Sequence, residues 1–155
     1  MTSGFEYTEI GTWLSDLPDG LVSSIGQAPD AGDGFGFVVR AEPVDVHVIG
    51  PGGDGPLLIE AAVEFPEEAL AAVRAEPGRF FAESSAVLAS APGFHRFTDA
   101  DGGAASAESF ERVALRHYVY PGGASKDTVL TGVIDLLTAA TAVRDTADRL
   151  AARAA

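Results

Sequence analysis

The sequence contains no cysteine among its 155 residues. That absence excludes a disulfide framework, a thiolate metal site and a cysteine nucleophile. A chain of this length hides about two thirds of its unfolded surface on folding, so it needs neither a disulfide nor a metal to be stable. We therefore expect one domain spanning residues 1–155, in a reducing, cytoplasmic compartment.

Lysine is almost absent as well. Lys126 is the only one, and 23 acidic residues against 10 basic ones give a formal net charge of −13. Such a surface repels phosphate, which argues against nucleic acid and anionic lipid as partners. Two origins stay open: a salt-loaded cytoplasm, where molar salt screens self-repulsion beyond about 3 Å, and a GC-rich genome that replaces lysine with arginine. We favour the first.

Long apolar runs are also missing. The longest, from Val129 to Val143, is interrupted by Asp135 and is shorter than the roughly 20 residues that a membrane span requires. Residues 1–6 have neither the basic start nor the apolar centre of a secretory signal. We expect a protein that neither enters nor spans a membrane.

Hydrophobic periodicity predicts an α+β domain with the element order α-β-β-β-α-β-β-α. Loops as short as those after the first two predicted strands require antiparallel pairing, so we predict a meander sheet flanked by helices. A loop is expected over residues 26–34, before the first strand. The predicted helices cover residues 6–17, 66–88 (interrupted at Pro77-Gly78) and 125 onward, and the predicted strands cover 35–39, 44–48, 57–65, 94–98 and 110–120.

The last predicted helix is apolar over more than half of its circumference in its first half. At 1.5 Å per residue it is longer than the strands, so its alanine-rich end is expected to overhang the sheet. Two interpretations stay open: a buried core helix, or a packing surface for a second copy or another protein. The candidate protein-interface residues are Leu130, Val133, Ile134, Leu137 and Val143.

No motif indicates catalysis, a metal or a cofactor. Residues 99–102, Asp-Ala-Asp-Gly, are similar to the start of a calcium-binding EF-hand loop, but Gly103 and Phe110 stand where ligands belong. The glycine-rich residues 32–36 lack the lysine of a phosphate-binding loop and precede a strand rather than a helix. We predict no catalytic residue, no metal ligand and no cofactor.

Histidines and paired carboxylates give no stronger signal. None of His47, His95 and His117 has a second ligand at helical spacing. His47 and His117 lie on predicted strands, and an enzyme would require them to meet beside a carboxylate. Glu60 and Glu64 share one face of a predicted strand and are interpreted as solvated surface.

The order of elements resembles the type III secretion chaperone-like fold, which includes the YbjN proteins. Three segments are similar to an uncharacterised archaeal family usually assigned that fold: Ile10-x-x-Trp13-Leu14, Phe80-Phe81, and Val119-Tyr120 leading into Ser125-Lys126-Asp127. The resemblance implies a dimer that holds another polypeptide on its sheet or helix surface without catalysis. It supplies no functional residue.

Two functions follow as hypotheses. The first is a non-enzymatic protein-binding domain, chaperone-like or an adaptor, homodimeric, with a protein as partner. The alternative is a small-molecule binding module that uses the cup between sheet and helices. This alternative requires a closed apolar pocket with converging polar groups.

The acidic surface generates a first prediction. If the charge reflects a salt-loaded cytoplasm, the melting temperature should rise steeply from dilute buffer to molar potassium chloride, because the salt screens repulsion among the carboxylates. Thermal denaturation followed by circular dichroism across this salt range measures the effect. A flat profile would contradict the halophilic origin.

Overall fold

The computed structural model describes residues 7–18, 20–27, 34–42, 44–50, 55–90, 94–106 and 108–154. These residues form helices on one side of a single sheet. The elements in chain order are α1 (Tyr7–Leu14), β1 (Val22–Gln27), β2 (Phe35–Ala41), β3 (Val46–Gly50), β4 (Leu57–Glu64), α2 (Glu67–Ala75), α3 (Pro77–Ser90), β5 (Phe94–Thr98), β6 (Arg112–Val119), a short 3-10 turn (Pro121–Gly123) and α4 (Lys126–Ala154).

The sheet has six strands in the order β1-β2-β3-β4-β6-β5, and every neighbouring pair is antiparallel. This confirms the α+β class and the antiparallel sheet. Strands β1 to β4 form a meander in chain order, whereas β6 lies between β4 and β5. The predicted interruption at Pro77 is also confirmed, because α2 ends at Ala75 and α3 begins at Pro77.

Strand β1 was not predicted, and its end corrects the predicted loop over residues 26–34. Gly26 and Gln27 pair with Val38 and Phe37 of β2. Serine and glycine are weak strand formers, so this segment carries little local signal and its strand depends on pairing with β2. Residues 28–33 of the predicted loop lie outside the described residues.

One face of the sheet holds the hydrophobic core. Alternate residues of the central strands point to this face and are buried, among them Val48, Ile59 and Leu115. The long helix α4 lies over them and also contacts α1, α2 and α3. Its buried residues recur at spacings of three and four: Val129, Val133, Leu136, Leu137, Ala139, Ala140, Val143, Ala147 and Leu150.

Five phenylalanine rings pack against one another near β5 and the start of α3. Neighbouring ring centroids lie between 4.2 and 6.3 Å apart, mostly in edge-to-face geometry. Such aromatic contacts add to the stabilisation that comes from burial alone. The rings belong to Phe65, Phe80, Phe81, Phe97 and Phe110.

Helix α4 approaches the sheet closely at Gly132. A Cβ atom at this position would lie 2.9 Å from Ile59 Cδ1 and 3.0 Å from His117 Cδ2. Both distances are shorter than ordinary carbon–carbon contacts, so only glycine fits without displacing a neighbour.

No described helix is long and apolar enough to cross a membrane.

The close approach predicts that Gly132→Leu lowers the free energy of unfolding by about 1–3 kcal/mol, the usual cost of overpacking a core. Leucine favours helices, so a loss would come from packing and not from helix propensity. Gly78→Leu is the matched control, since nothing lies within 4 Å of a Cβ there. Urea unfolding in molar salt measures both; equal stability of the two variants would contradict the close packing.

Candidate functional site

The predicted interface on α4 is wrong for three of its five residues. Val133, Leu137 and Val143 are fully buried in the domain's own core, so they present no surface to a partner. Leu130 and Ile134 are half-buried and pack against the edge of that core. Helix α4 is apolar over so much of its circumference because the sheet and three other helices surround it.

The end of α4, which was predicted to overhang the sheet, is buried against other helices. Ala147 and Leu150 are buried, and the guanidinium of Arg153 lies 3.0 Å from the carboxylate of Glu83 on α3. On the helix surface, Arg144 and Asp148 form an ion pair one turn apart, at 3.7 Å. Helices α2 and α3 therefore bury the C-terminal part of α4, the part that is expected to extend beyond the strands.

The opposite side of the sheet has a different character. Helix α4 lies on the face that holds Val48 and Ile59, and no described helix lies on the other face, which we call the open face. Strand alternation places a separate set of side chains there. The open face is formed by Val38, Arg40, Asp45, His47, Ile49, Leu58, Glu60, Ala62, Glu64, Arg96, Arg112, Ala114, Arg116 and Tyr118.

An apolar row crosses the open face near one end of its strands. Ile49 on β3 pairs with Leu58 on β4, and Leu58 pairs with Tyr118 on β6. All three side chains are half-buried. Directly opposed residues of antiparallel strands have Cβ atoms about 4.5–5.5 Å apart, so the three form one continuous strip.

Ion pairs between neighbouring strands lie on one side of this row. Arg116 pairs with Glu60 directly across β6 and β4, and Arg112 lies 2.7 Å from Glu64 four residues further along. On the same side of the row, Arg40 lies 3.6 Å from Asp45. Solvent-exposed pairs such as these contribute only about 0–1 kcal/mol each to stability. Their larger effect is on the charge of the face.

The open face is close to neutral on a strongly acidic protein. Four arginines stand there against three carboxylates, whereas the whole chain has 10 basic and 23 acidic residues. Negative charge is therefore concentrated elsewhere on the molecule. Another macromolecule can approach this face with the least repulsion.

A polar cleft of about 410 Å³ opens beside the open face, between the turn joining β2 to β3, the end of β4 and α4. Arg144 reaches into it and donates a hydrogen bond to the carbonyl oxygen of Glu64 at 3.3 Å. The cleft is half-open and its lining is mostly polar, so it is not the closed apolar pocket that small-molecule binding would require. The lining residues are Ala41, Glu42, Val44, Asp45, His47, Ala62, Glu64 and Arg144.

His47 and His117 do not meet, because they lie on opposite faces of the sheet. His47 pairs with Glu60 on the open face, whereas His117 pairs with Ile59 and points towards Gly132 of α4. The residues that the structure describes contain no group of three histidines or carboxylates able to hold a metal ion.

In the loop that is similar to the start of an EF-hand, the first carboxylate accepts hydrogen bonds from the loop's own backbone. Asp99 accepts hydrogen bonds from the backbone N–H groups of Asp101 and Gly103, each at 2.9 Å. Gly102 adopts a φ of 89°, which other residues rarely adopt. The aspartate therefore closes a turn in its own backbone.

Known proteins provide a fold and no activity. No protein-family model matches the sequence, and no curated protein sequence does. The chain is similar to the crystal structure of an uncharacterized protein from Methanothermobacter thermautotrophicus, with a TM-score of 0.63 and 19% identity over 88% of this chain and 92% of that one. The class defined here is thus an α+β domain whose six-stranded antiparallel sheet carries helices on one face, and an archaeal protein shares its fold.

His117 generates a prediction about pH. Burial under α4 lowers the pKa of His117 below its ordinary value of 6.5, and the nearby carboxylate of Asp135 opposes this shift only partly. The unfolded chain therefore binds the proton more tightly than the folded one. Stability should fall as the pH drops through about 6.5 and level off below the lowered pKa.

The measurement is the free energy of unfolding at several pH values for the wild type and His117→Gln. The wild type should lose more stability than the variant between about pH 7.5 and pH 5.5. His47→Gln, on the exposed opposite face, serves as the control and should follow the wild type. Parallel curves for the wild type and His117→Gln would contradict the assignment.

Proposed function

We propose that this protein is a non-enzymatic, homodimeric protein-binding domain, chaperone-like or an adaptor, that holds another polypeptide on its open face. We further propose that the protein works in a high-salt cytoplasm. We also propose that its fold is the type III secretion chaperone-like fold in the form found in YbjN proteins. The single observation that carries the proposal is the open face itself: a half-buried apolar row beside balanced charges on a protein of net charge −13.

The apolar row supplies the attraction. Ile49, Leu58 and Tyr118 keep part of their surface in water, and covering them removes that surface from solvent. This contribution persists in molar salt, where charge attraction between partners is screened within about 3 Å. In a salt-loaded cytoplasm, an acidic protein therefore needs such a row to bind a partner.

The arginines define the chemistry of the partner. Arg40 and Arg96 are exposed on the open face, where Arg40 lies near Asp45 and Arg96 donates a hydrogen bond to the carbonyl oxygen of Gly102. Arg112 and Arg116 face carboxylates directly across the strands. A segment with apolar side chains for the row and carboxylates for the exposed guanidinium groups matches this pattern. We propose an acidic polypeptide segment as the occupant, which is also the composition expected of proteins in a salt-loaded cytoplasm.

Site-specific photo-crosslinking in the native lysate at molar salt tests this proposal. A benzoylphenylalanine introduced at Leu58 should capture one polypeptide, whereas the same group at Thr131, exposed on α4, should not. Mass spectrometry of the adduct identifies the captured chain. Adducts of equal yield at both positions, or an adduct consisting of two copies of this protein, would contradict the proposal.

Purified components then test the apolar row directly. Leu58→Asp should weaken binding of the captured polypeptide at least about tenfold, because a carboxylate would be buried against the partner. Thr131→Asp adds the same charge outside the open face and should leave the affinity unchanged. Circular dichroism must show that both variants are folded. Unchanged affinity of a folded Leu58→Asp protein would contradict binding at the open face.

A further inference from the structure

The two edge strands of the sheet, β5 and β1, differ in how well they are protected from pairing with another chain. At one edge, β5 is partly covered by the segment that follows it. The N–H of Ala105 donates to the carbonyl oxygen of Phe97 at 3.1 Å, and Thr98 forms a β-bridge with Ala104. Strand β5 also carries the charged, exposed Arg96. Covering loops and charges are the usual ways in which proteins prevent an edge strand from pairing with another chain.

Strand β1, at the other edge, has almost none of these protections. Its sequence is Val-Ser-Ser-Ile-Gly-Gln, and among the six described strands only β1 has neither a charged residue nor a histidine. Among the described residues, only β2 supplies backbone hydrogen bonds to residues 23–27. The one irregularity is a bulge at Ser23, which leaves residues 24–27 in regular register with β2.

Apolar side chains accompany this backbone edge. Ile25 is half-buried on the strand, and Leu21 is half-buried directly before it, both at the margin of the core. A strand added beside β1 would pair with the outward N–H and C=O groups and would cover part of these two side chains. Main-chain pairing of this kind is a recurrent mode of recognition.

We propose that β1 pairs antiparallel with β1 of a second copy of this chain. The charge distribution favours a second copy at this edge. Two chains of net charge −13 repel each other over most of their surfaces, whereas pairing through the uncharged edge brings no like charges into direct contact. A two-fold axis then brings the same residues of both copies together, as in most homodimers. This inference rests on the homodimer of the proposed function, and it is independent of binding at the open face.

The pairing fixes the geometry of the dimer. Two adjacent antiparallel strands related by a two-fold axis have that axis perpendicular to the sheet, so the helices of both copies lie on the same side. The two six-stranded sheets become one continuous sheet. The two open faces lie next to each other on its other side, which doubles the surface offered to a polypeptide.

Sedimentation in molar salt tests the pairing with the double variant Ser24→Asp/Gln27→Asp. Ser24 lies opposite Arg40 of its own chain, so Asp at position 24 gains a favourable cross-strand neighbour within the monomer. In the dimer, carboxylates of both copies would be brought together at the two-fold axis. Ser85→Asp/Thr131→Asp, at exposed positions on α3 and α4, is the matched control for net charge.

We expect the wild type and the control to sediment as dimers and the edge variant to dissociate at least about 100-fold more readily. Amide exchange provides a second readout: protection of residues 24–27 should increase with protein concentration in the wild type and the control but not in the edge variant. A wild-type monomer at every concentration overturns the inference. So does a folded edge variant that dimerises like the control, with exchange at residues 24–27 independent of concentration.

Discussion

The packing of helix α4 across the middle of the sheet is the contact on which the rest of the structure depends. At Gly132 the helix backbone comes so close that a single added carbon would meet Ile59 and His117. This contact buries the apolar stripe of α4, and α1, α2 and α3 pack around the same helix. All helical material in the described residues is thereby gathered on one side. The domain gains a dense core there and leaves the other face of its sheet without a helix.

In this two-layer arrangement the hydrophobic core lies between the helices and one face of the sheet. The exposed residues of the open face are therefore available to the proposed partner. Acidic residues outnumber basic ones in the chain as a whole, whereas arginines balance the carboxylates on the open face. At the proposed binding surface and the proposed dimer edge, the charge of the chain therefore does not oppose association.

Sequence periodicity predicted the elements that carry strong local patterns and missed what depends on distant pairing. Strands β2 to β4 and helix α4 follow the alternation and spacing of their apolar residues. Strand β1 has no such pattern, and its strand forms only because β2 lies beside it. The stripe on α4 was compatible with both a core and an interface, since burial depends on neighbours that the sequence does not reveal. Glu60 and Glu64 could be placed on one strand face, but their arginine partners on β6 became evident only with the strand order.

In the described part of the chain, helices cover one face of the sheet and no helix covers the other. Relaxation of methyl groups by a soluble, neutral gadolinium chelate measures this directly in molar salt. The methyl groups of Ile49 and Leu58 should relax strongly, whereas those of Ile59 and Leu115, on the face packed against α4, should be protected. Equal protection of both sets would contradict the account, because the rest of the protein would then cover the proposed binding surface.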